Sequence, residues 1–99
     1  MVRDAILNKL QIIAMYHGHV RELCPHLIGW KHGDPHALFY QFGGQSSRVL
    51  DAPGSPANWR CIRIRELTHV AVRKGPWYTA TNYSRPERCV DEVDLEVSR

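Results

Sequence analysis

Residues 11–30 have the sequence QIIAMYHGHVRELCPHLIGW, and this stretch decides the predicted fold. Its first part, Gln11 to His17, is rich in strand-forming residues, and the pair His17-Gly18 suits a tight turn. Its second part, His19 to Trp30, has several apolar positions and is interrupted by Pro25, and a proline within a strand belongs at an edge or a bulge. The stretch therefore predicts two neighbouring strands, the second of which bends at Pro25.

The flanking sequence predicts one helix and four further strands. Val2 to Leu10 has apolar residues at helical spacing with polar residues between them, which is typical of a short helix that docks on a core. Gly43 to Asn58 is rich in Gly, Ser, Pro and Asp and is predicted as a long loop. The remaining predicted strands are Ala37 to Phe42, Trp59 to Arg65, Leu67 to Val72 and Val93 to Val97.

Chain length and composition favour a single globular domain. The 99 residues have room for one core, and 43% hydrophobic with 23% charged residues is a globular and not a disordered composition. We therefore expect one domain over residues 1–99, of the α+β class but mostly β, with a strongly bent sheet or a partly open barrel.

Location is predicted from hydropathy and from the cysteines. The chain contains no apolar run near the ~20 residues that span a bilayer and no apolar stretch with a cleavage site near its beginning, so we expect a soluble, cytoplasmic protein. The three cysteines, Cys24, Cys61 and Cys89, are an odd number without a C-x-x-C pair. Reduced thiols are therefore expected.

The basic residues favour an anionic partner. Ten of the thirteen are arginines, and residues 1–86 contain eleven basic and five acidic side chains. Alternation along a strand places Arg63 and Arg65 on one face, ~6.6 Å apart, where both could hold one phosphate or carboxylate. Ile62 and Ile64 then face the core, and Arg60 lies on their side unless a bulge near Cys61 turns it.

Metal and catalytic sites are less well supported by the sequence. Five of the six histidines lie between His17 and His36, but no H-E-x-x-H or paired C-x-x-C pattern accompanies them, so no metal ligand is predicted. The candidate nucleophiles, Cys24 beside His26 and the pair Ser46-Ser47, lack an orienting carboxylate and an oxyanion-hole signature. We therefore predict a protein that is not an enzyme and that needs no cofactor.

Several motifs taken in order resemble the WYL domain. They are a short helix followed by IIAMYH at 12–17, RELCPHLIG at 21–29, YQFGG at 40–44 and WRCIRI at 59–64. The chain is similar to small standalone WYL-like proteins over about residues 2–97. The tripeptide that names the family is absent, and Ala37-Leu38-Phe39 stands near its place.

The resemblance implies a fold and a function. The fold is a small Sm-like or SH3-like β-barrel with a helix ahead of the first strand. The role is ligand sensing, because WYL domains occur in bacterial transcription regulators and bind nucleic acid or nucleotide-like ligands. No helix-turn-helix is present, so a complete DNA-binding regulator is not expected.

Sequence and resemblance together predict a non-catalytic, regulatory module that binds a nucleotide or single-stranded nucleic acid. The arginines would contact phosphate and Tyr40 would stack on a base. The alternative is a protein–protein interaction domain that joins a regulator protein or a second copy of itself through a sheet edge or a basic face. The predicted ligand-binding residues are Arg21, His26, Tyr40, Gln41, Arg60 and Arg63.

Overall fold

One helix and six strands make up the part of the chain that the computed structural model describes, which is residues 1–45, 50, 55–80 and 89–97. Short 3₁₀ helices at Pro56–Asn58 and Ile64–Glu66 flank the fourth strand. The elements are α1 (Val2–Asn8), β1 (Gln11–Tyr16), β2 (His19–Lys31), β3 (Asp34–Gly44), β4 (Trp59–Arg63), β5 (Thr68–Arg73) and β6 (Glu92–Glu96).

The strands form one antiparallel sheet in the order β4-β3-β2-β1-β5, and β6 pairs with β2. The first half of β2 pairs with β1, and its second half pairs with β6, from Leu27 opposite Glu96 to Trp30 opposite Glu92. The pairing of β2 with β3 shifts register between Pro25 and Leu27, which confirms the irregularity predicted at the proline. The expected class, mostly β with one short N-terminal helix, is confirmed.

The two hairpins are closed by the same dipeptide. His17-Gly18 links β1 to β2, and His32-Gly33 links β2 to β3, with positive φ at all four residues. Two consecutive residues with positive φ are typical of the tight turn whose twist matches that of antiparallel strands. Glycine adopts a positive φ without a Cβ penalty. The second turn starts β3 at Asp34, three residues earlier than the sequence predicted.

The main core lies between the sheet and α1. Helix α1 buries Val2, Ala5 and Ile6 against one face of the sheet and ends at Lys9, which has a left-handed conformation. This burial supplies the packing that a two-turn helix needs. From the strands, the same cluster receives Ile12, Ala14, Leu23, Ala37, Phe39 and Ile62.

The opposite face of the sheet, here called the outer face, is partly covered. Cys24 and Tyr40 pack under Ala80, with Trp77 and Tyr78 beside them. Further along the same face, Cys89 and Val90 pack on Leu27 with Leu38 at the margin. Beyond Val90, the described residues form a groove on the outer face, and this groove is the candidate site.

Strand β4 confirms the predicted division between core and solvent. Ile62 is buried and Ile64 packs against the core, whereas Arg63 is half-exposed and Arg65 is exposed. The strand is shorter than predicted, because Arg65 belongs to the 3₁₀ helix. The pairing of β4 with β3 is regular from Trp59 to Arg63, so no bulge brings Arg60 to the side of Arg63.

The cysteines correct the sequence-based expectation. Cys61 is bonded to Cys89, with their Cα atoms 5.6 Å apart, and only Cys24 is a free thiol. The expectation that all three are reduced is therefore wrong for this pair, which the odd cysteine count concealed. The bond fastens β4 to the segment that leads into β6. None of the helices in the described ranges is long and apolar enough to cross a membrane.

Candidate anion-binding groove

A groove of about 580 Å³ lies further along the outer face, beside Cys61. It is formed where the β2–β3 turn meets the end of β4 and the 3₁₀ helix that follows. We call it the basic groove. It is lined by Lys31, His32, Asp34, His36, Cys61, Arg63 and Arg65.

Two arginines in the basic groove share one carboxylate. Arg63 Nε lies 2.8 Å from Asp34 Oδ2, and Arg65 Nε lies 3.7 Å from Asp34 Oδ1. The sequence predicted that Arg63 and Arg65 could hold one anionic group between them, and Asp34 occupies that position. The two guanidinium groups thus already hold one anionic group between them, the carboxylate of Asp34.

A second carboxylate borders the basic groove. Arg63 Nη1 donates to Glu66 Oε2 at 3.2 Å, and Glu66 Oε1 is 2.8 Å from His17 Nε2 in the first hairpin turn. The hydrogen bond from His17 is the main cause that lowers the pKa of the Glu66 carboxyl, and Arg63 contributes to the same shift. Glu66 therefore stays ionised and holds one side of the Arg63 guanidinium.

Two histidines complete the lining. His36 lies opposite Arg63 in the β3–β4 ladder, and its Nδ1 is 2.9 Å from the carbonyl oxygen of Asp34. Because a carbonyl only accepts, His36 Nδ1 carries the hydrogen, and Nε2 is the acceptor of the neutral ring. His32 lies in the turn, where Asp91 Oδ2 accepts from its backbone N–H at 2.9 Å.

Among the described residues that line the basic groove, the cations Lys31, Arg63 and Arg65 outnumber the one acidic side chain, Asp34, and the carboxylates of Glu66 and Asp91 lie at its border. The side chain of Arg65 is 68% exposed, so this guanidinium can reorient toward an incoming group. Clustered guanidinium groups beside a concave surface are the arrangement that favours phosphate or carboxylate ligands.

The structure does not bring the six predicted ligand residues together. Arg63 lines the basic groove, and the other five are buried elsewhere in the fold. Arg21 and Gln41 form one interior pair, in which Arg21 Nη1 donates to Gln41 Oε1 at 3.3 Å. The guanidinium of Arg21 also lies 5.0 Å from the ring centre of Tyr16, and Gln41 Nε2 donates to the carbonyls of Gly43 and Gln45.

Tyr40 and His26 belong to the covered part of the outer face. Tyr40 is fully buried, donates its hydroxyl to the carbonyl of Ser55 at 2.8 Å and meets Trp59 edge-on. His26 lies between Trp59 and Trp77, and burial lowers its pKa to about 4. A stacking role for Tyr40 requires that this aromatic cover moves, so it stays a prediction.

Arg60 lies on the core side of β4, as regular alternation predicts, and is held inside the fold. It is 6% exposed, and its Nη1 donates to the carbonyls of Ala57 at 2.7 Å and Trp59 at 3.0 Å. The 3₁₀ helix before β4 therefore supplies acceptors to a charge that would otherwise be costly to bury. The phosphate-binding role of Arg60 remains a prediction.

Cys24, a candidate nucleophile, is buried and does not line the basic groove. Burial raises the pKa of the Cys24 thiol to about 11, and the backbone N–H of Tyr78 donates to its sulfur at 3.4 Å. Cys24 is therefore a thiol, not a thiolate, at neutral pH. Ser46 and Ser47 lie outside the described residues, and within those residues no three His, Cys, Asp or Glu side chains are arranged to hold a metal ion.

The sequence reasoning missed most of the lining. Asp34 and His36 were placed in or near a turn, whereas the His32-Gly33 turn puts them in β3 beside Arg63. The sequence signal that could have set this register is the dipeptide His32-Gly33, because it repeats the His17-Gly18 pair that was predicted as a tight turn. Comparison with family models, with curated proteins and with solved structures finds no match for this chain.

Proposed function

We propose that this protein is a non-catalytic, regulatory binding module that accepts the phosphate groups of a nucleotide or single-stranded nucleic acid in the basic groove. The observation that carries the proposal is the shared contact of Arg63 and Arg65 with Asp34. Two guanidinium groups that hold one carboxylate are also suitably spaced for one phosphate. Among the described lining residues, cations outnumber acids, which supports attraction of such ligands.

Membership of the WYL family and a barrel fold are parts of the same proposal. The sheet path ends at β4 and β5, and these two strands are joined by only Ile64–Glu66 and Leu67. So short a link between the two ends supports a strongly curved sheet of the Sm-like or SH3-like kind. The register shift of β2 between Pro25 and Leu27 supports the same curvature, because a bulge bends its strand.

Titration with fluorescent ligands tests the proposal. Fluorescence anisotropy would be measured with a labelled oligothymidylate of roughly ten nucleotides and with a labelled nucleotide, at several salt concentrations. Arg65→Gln, at an exposed position, should weaken binding about fivefold to tenfold and flatten the salt dependence by about one contact. Arg3→Gln is the matched control, since Arg3 is exposed and paired with Asp94 but does not line the basic groove.

The outcomes are distinct. Salt-dependent binding that weakens in Arg65→Gln and not in Arg3→Gln supports the proposal. Equal losses in the two variants would indicate a diffuse charge effect and would remove the basic groove as the site. The absence of binding to either ligand at low salt would overturn the function itself.

The alternative function, association through a sheet edge, is favoured by β5. This strand pairs with β1 alone among the described strands, and five of its six residues are exposed. No described strand pairs with its other edge, where a strand from a regulator protein or from a second copy of the chain would add to the sheet. Sedimentation equilibrium distinguishes the two functions, because a monomer that binds oligothymidylate supports the first and a dimer disrupted by Ala71→Pro supports the second.

The predicted cytoplasmic location can be tested through the disulfide. Reducing compartments keep cysteines as thiols, whereas Cys61 and Cys89 are bonded in the structure. Thiol titration of protein that is denatured directly from cells should give one thiol per chain if the bond is present in its compartment. Three thiols per chain would support the cytoplasmic location and show that the bond forms only after extraction.

A further inference from the structure

We infer that the Cys61–Cys89 disulfide is a site of thiol–disulfide exchange, and that a carboxylate-bearing thiol of the glutathione class attacks it at Cys61 from the basic groove. The inference goes beyond the proposed function and does not need the groove to bind a nucleotide. It stands on three observations, which are the bond itself, the unequal exposure of its two cysteines and the arginines beside the exposed one.

The two ends of the bond differ in access. Cys61 is exposed and lines the basic groove. Cys89 is only 2% exposed and packs on Leu27, with Leu38 at the margin. Because exchange requires a thiolate to reach one of the two sulfur atoms, Cys61 is the end of the bond that a dissolved thiol can attack.

Two arginines lie beside the exposed cysteine. Cys61 and Arg63 are on the same face of β4, two residues and therefore ~6.6 Å apart along the strand. Arg65 follows in the 3₁₀ helix and lines the same groove. Both arginines contact the carboxylate of Asp34, so their guanidinium groups are placed to hold a carboxylate in the groove that Cys61 lines.

Direct contact with a guanidinium group, more than net charge, selects the reagent. The carboxylates of Glu66 and Asp91 border the groove and offset part of its positive charge. Arg65 can still turn to an incoming carboxylate, because its side chain is 68% exposed and its Nε lies 3.7 Å from Asp34 Oδ1. Glutathione suits this mixture of charges, since it has two carboxylates for the arginines and one ammonium group for the acidic border.

The chemical step needs no oxidant or reductant besides the thiol. The thiolate of a first glutathione attacks the Cys61 sulfur, so that an S–S bond forms between them and the bond to Cys89 breaks. The electron pair of the broken bond passes to the Cys89 sulfur, which takes a proton from solvent. A second glutathione thiolate attacks the glutathione sulfur of the adduct, which gives glutathione disulfide and releases Cys61 as a thiolate. The protein thereby gains the two electrons that two glutathione molecules lose.

The experiment follows cleavage of the bond in the native chain by glutathione at low salt. N-ethylmaleimide and acid stop the reaction and trap the released thiols, and mass spectrometry of peptides prepared without a reductant locates the adduct. The rate is measured in parallel with 2-mercaptoethanol, a neutral thiol. Both thiols are also tested on Arg65→Gln and on the matched control Arg3→Gln, since Arg3 is exposed but does not line the groove.

The glutathione adduct is expected on Cys61 and the trapped thiol on Cys89. Arg65→Gln should slow cleavage by glutathione about threefold at low salt, because a guanidinium contact to the reagent is lost. The same variant should react with 2-mercaptoethanol at the native rate, since this thiol has no carboxylate. Arg3→Gln should match the native chain with both thiols.

Four results would overturn the inference. They are an adduct found on Cys89, no cleavage of the bond by glutathione, native rates with both thiols in Arg65→Gln, and equal slowing with both thiols in that variant. A purified, air-oxidised chain in which all three cysteines titrate as thiols would overturn it as well, because the bond itself would be missing. None of these results bears on the binding of oligothymidylate, which tests the proposed function separately.

Discussion

His26 is the residue whose protonation the fold opposes most clearly. Burial between Trp59 and Trp77 lowers its pKa to about 4, whereas the unfolded chain has the ordinary value of 6.5. Between pH 4 and pH 6.5, His26 is protonated in the unfolded chain but neutral in the folded chain. We therefore expect the free energy of unfolding to be highest above about pH 7 and to fall by roughly 3 kcal/mol by pH 4.

Urea unfolding at successive pH values measures this loss. His26→Asn keeps an N–H near the carbonyl of Cys24, which accepts from His26 Nδ1 in the native chain, but does not titrate. The variant should be less stable at pH 7 and should lose less of its stability on acidification. An unchanged slope in His26→Asn would show that other groups cause the acid sensitivity.

Asp34 competes with any anionic ligand of the basic groove. Its carboxylate contacts both Arg63 and Arg65, so a bound phosphate must displace it or share the guanidinium groups with it. Asp34→Asn removes one negative charge and should tighten binding of oligothymidylate about threefold to tenfold at low salt. Weaker binding in this variant would mean that Asp34 chiefly positions the arginines. Binding curves for the variant and the native chain at two salt concentrations provide the measurement.

At the scale of elements, Gly29 permits β6 to lie against β2. A Cβ at this position would collide with the carbonyl oxygen of Glu92 and would press on Val90. Gly29→Ala should therefore displace β6 and lower the free energy of unfolding by about 1–3 kcal/mol, as measured in urea. Gly43→Ala is the matched control, because its Cβ would meet the carboxylate of Glu22, a side-chain end that can rotate away.

The elements were predictable where the local pattern was strong. The alternating apolar residues and turn signals located each of the six described strands, and the β-branched residues Ile62 and Ile64 correctly marked the core side of β4 and of the 3₁₀ helix that follows it. The start of β3 was wrong because Asp34-Pro35 is a common turn sequence. Pro35 is accommodated because it lies one residue beyond the last pair with β4, where no partner requires its missing N–H.

The candidate site was less predictable than the elements. Strand alternation predicted that Arg63 and Arg65 lie near each other. The presence of His36 and Asp34 beside them depends on how β3 is aligned with β4, which alternation does not predict. Register of this kind is set by the turn and the packed face, and it cannot be read from either strand alone. The burial of Arg60 was missed for a similar reason, since its acceptors belong to the 3₁₀ helix before β4.

For the whole molecule, the Cys61–Cys89 bond limits the freedom of the unfolded chain. It spans 28 residues of sequence, and closing a loop of this length removes chain entropy worth about 3.5 kcal/mol of stability. Reduction, or the pair of substitutions Cys61→Ser and Cys89→Ser, should lower the free energy of unfolding by that order. Thermal unfolding with and without a reductant tests this, and equal melting temperatures would contradict it. Cys24→Ala is the control for a cysteine outside the bond.

The pairing of β2 with two different strands along one edge sets the order in which the chain can fold during translation. The β2–β3 hairpin is local and is complete once residue 44 has left the ribosome, but β6 is synthesised almost fifty residues later. Until then, Leu27, Ile28 and Trp30 present an apolar strand edge without its partner. Nascent chains stalled before Glu92 should therefore recruit holdase chaperones or aggregate, and chains extended past Val97 should not.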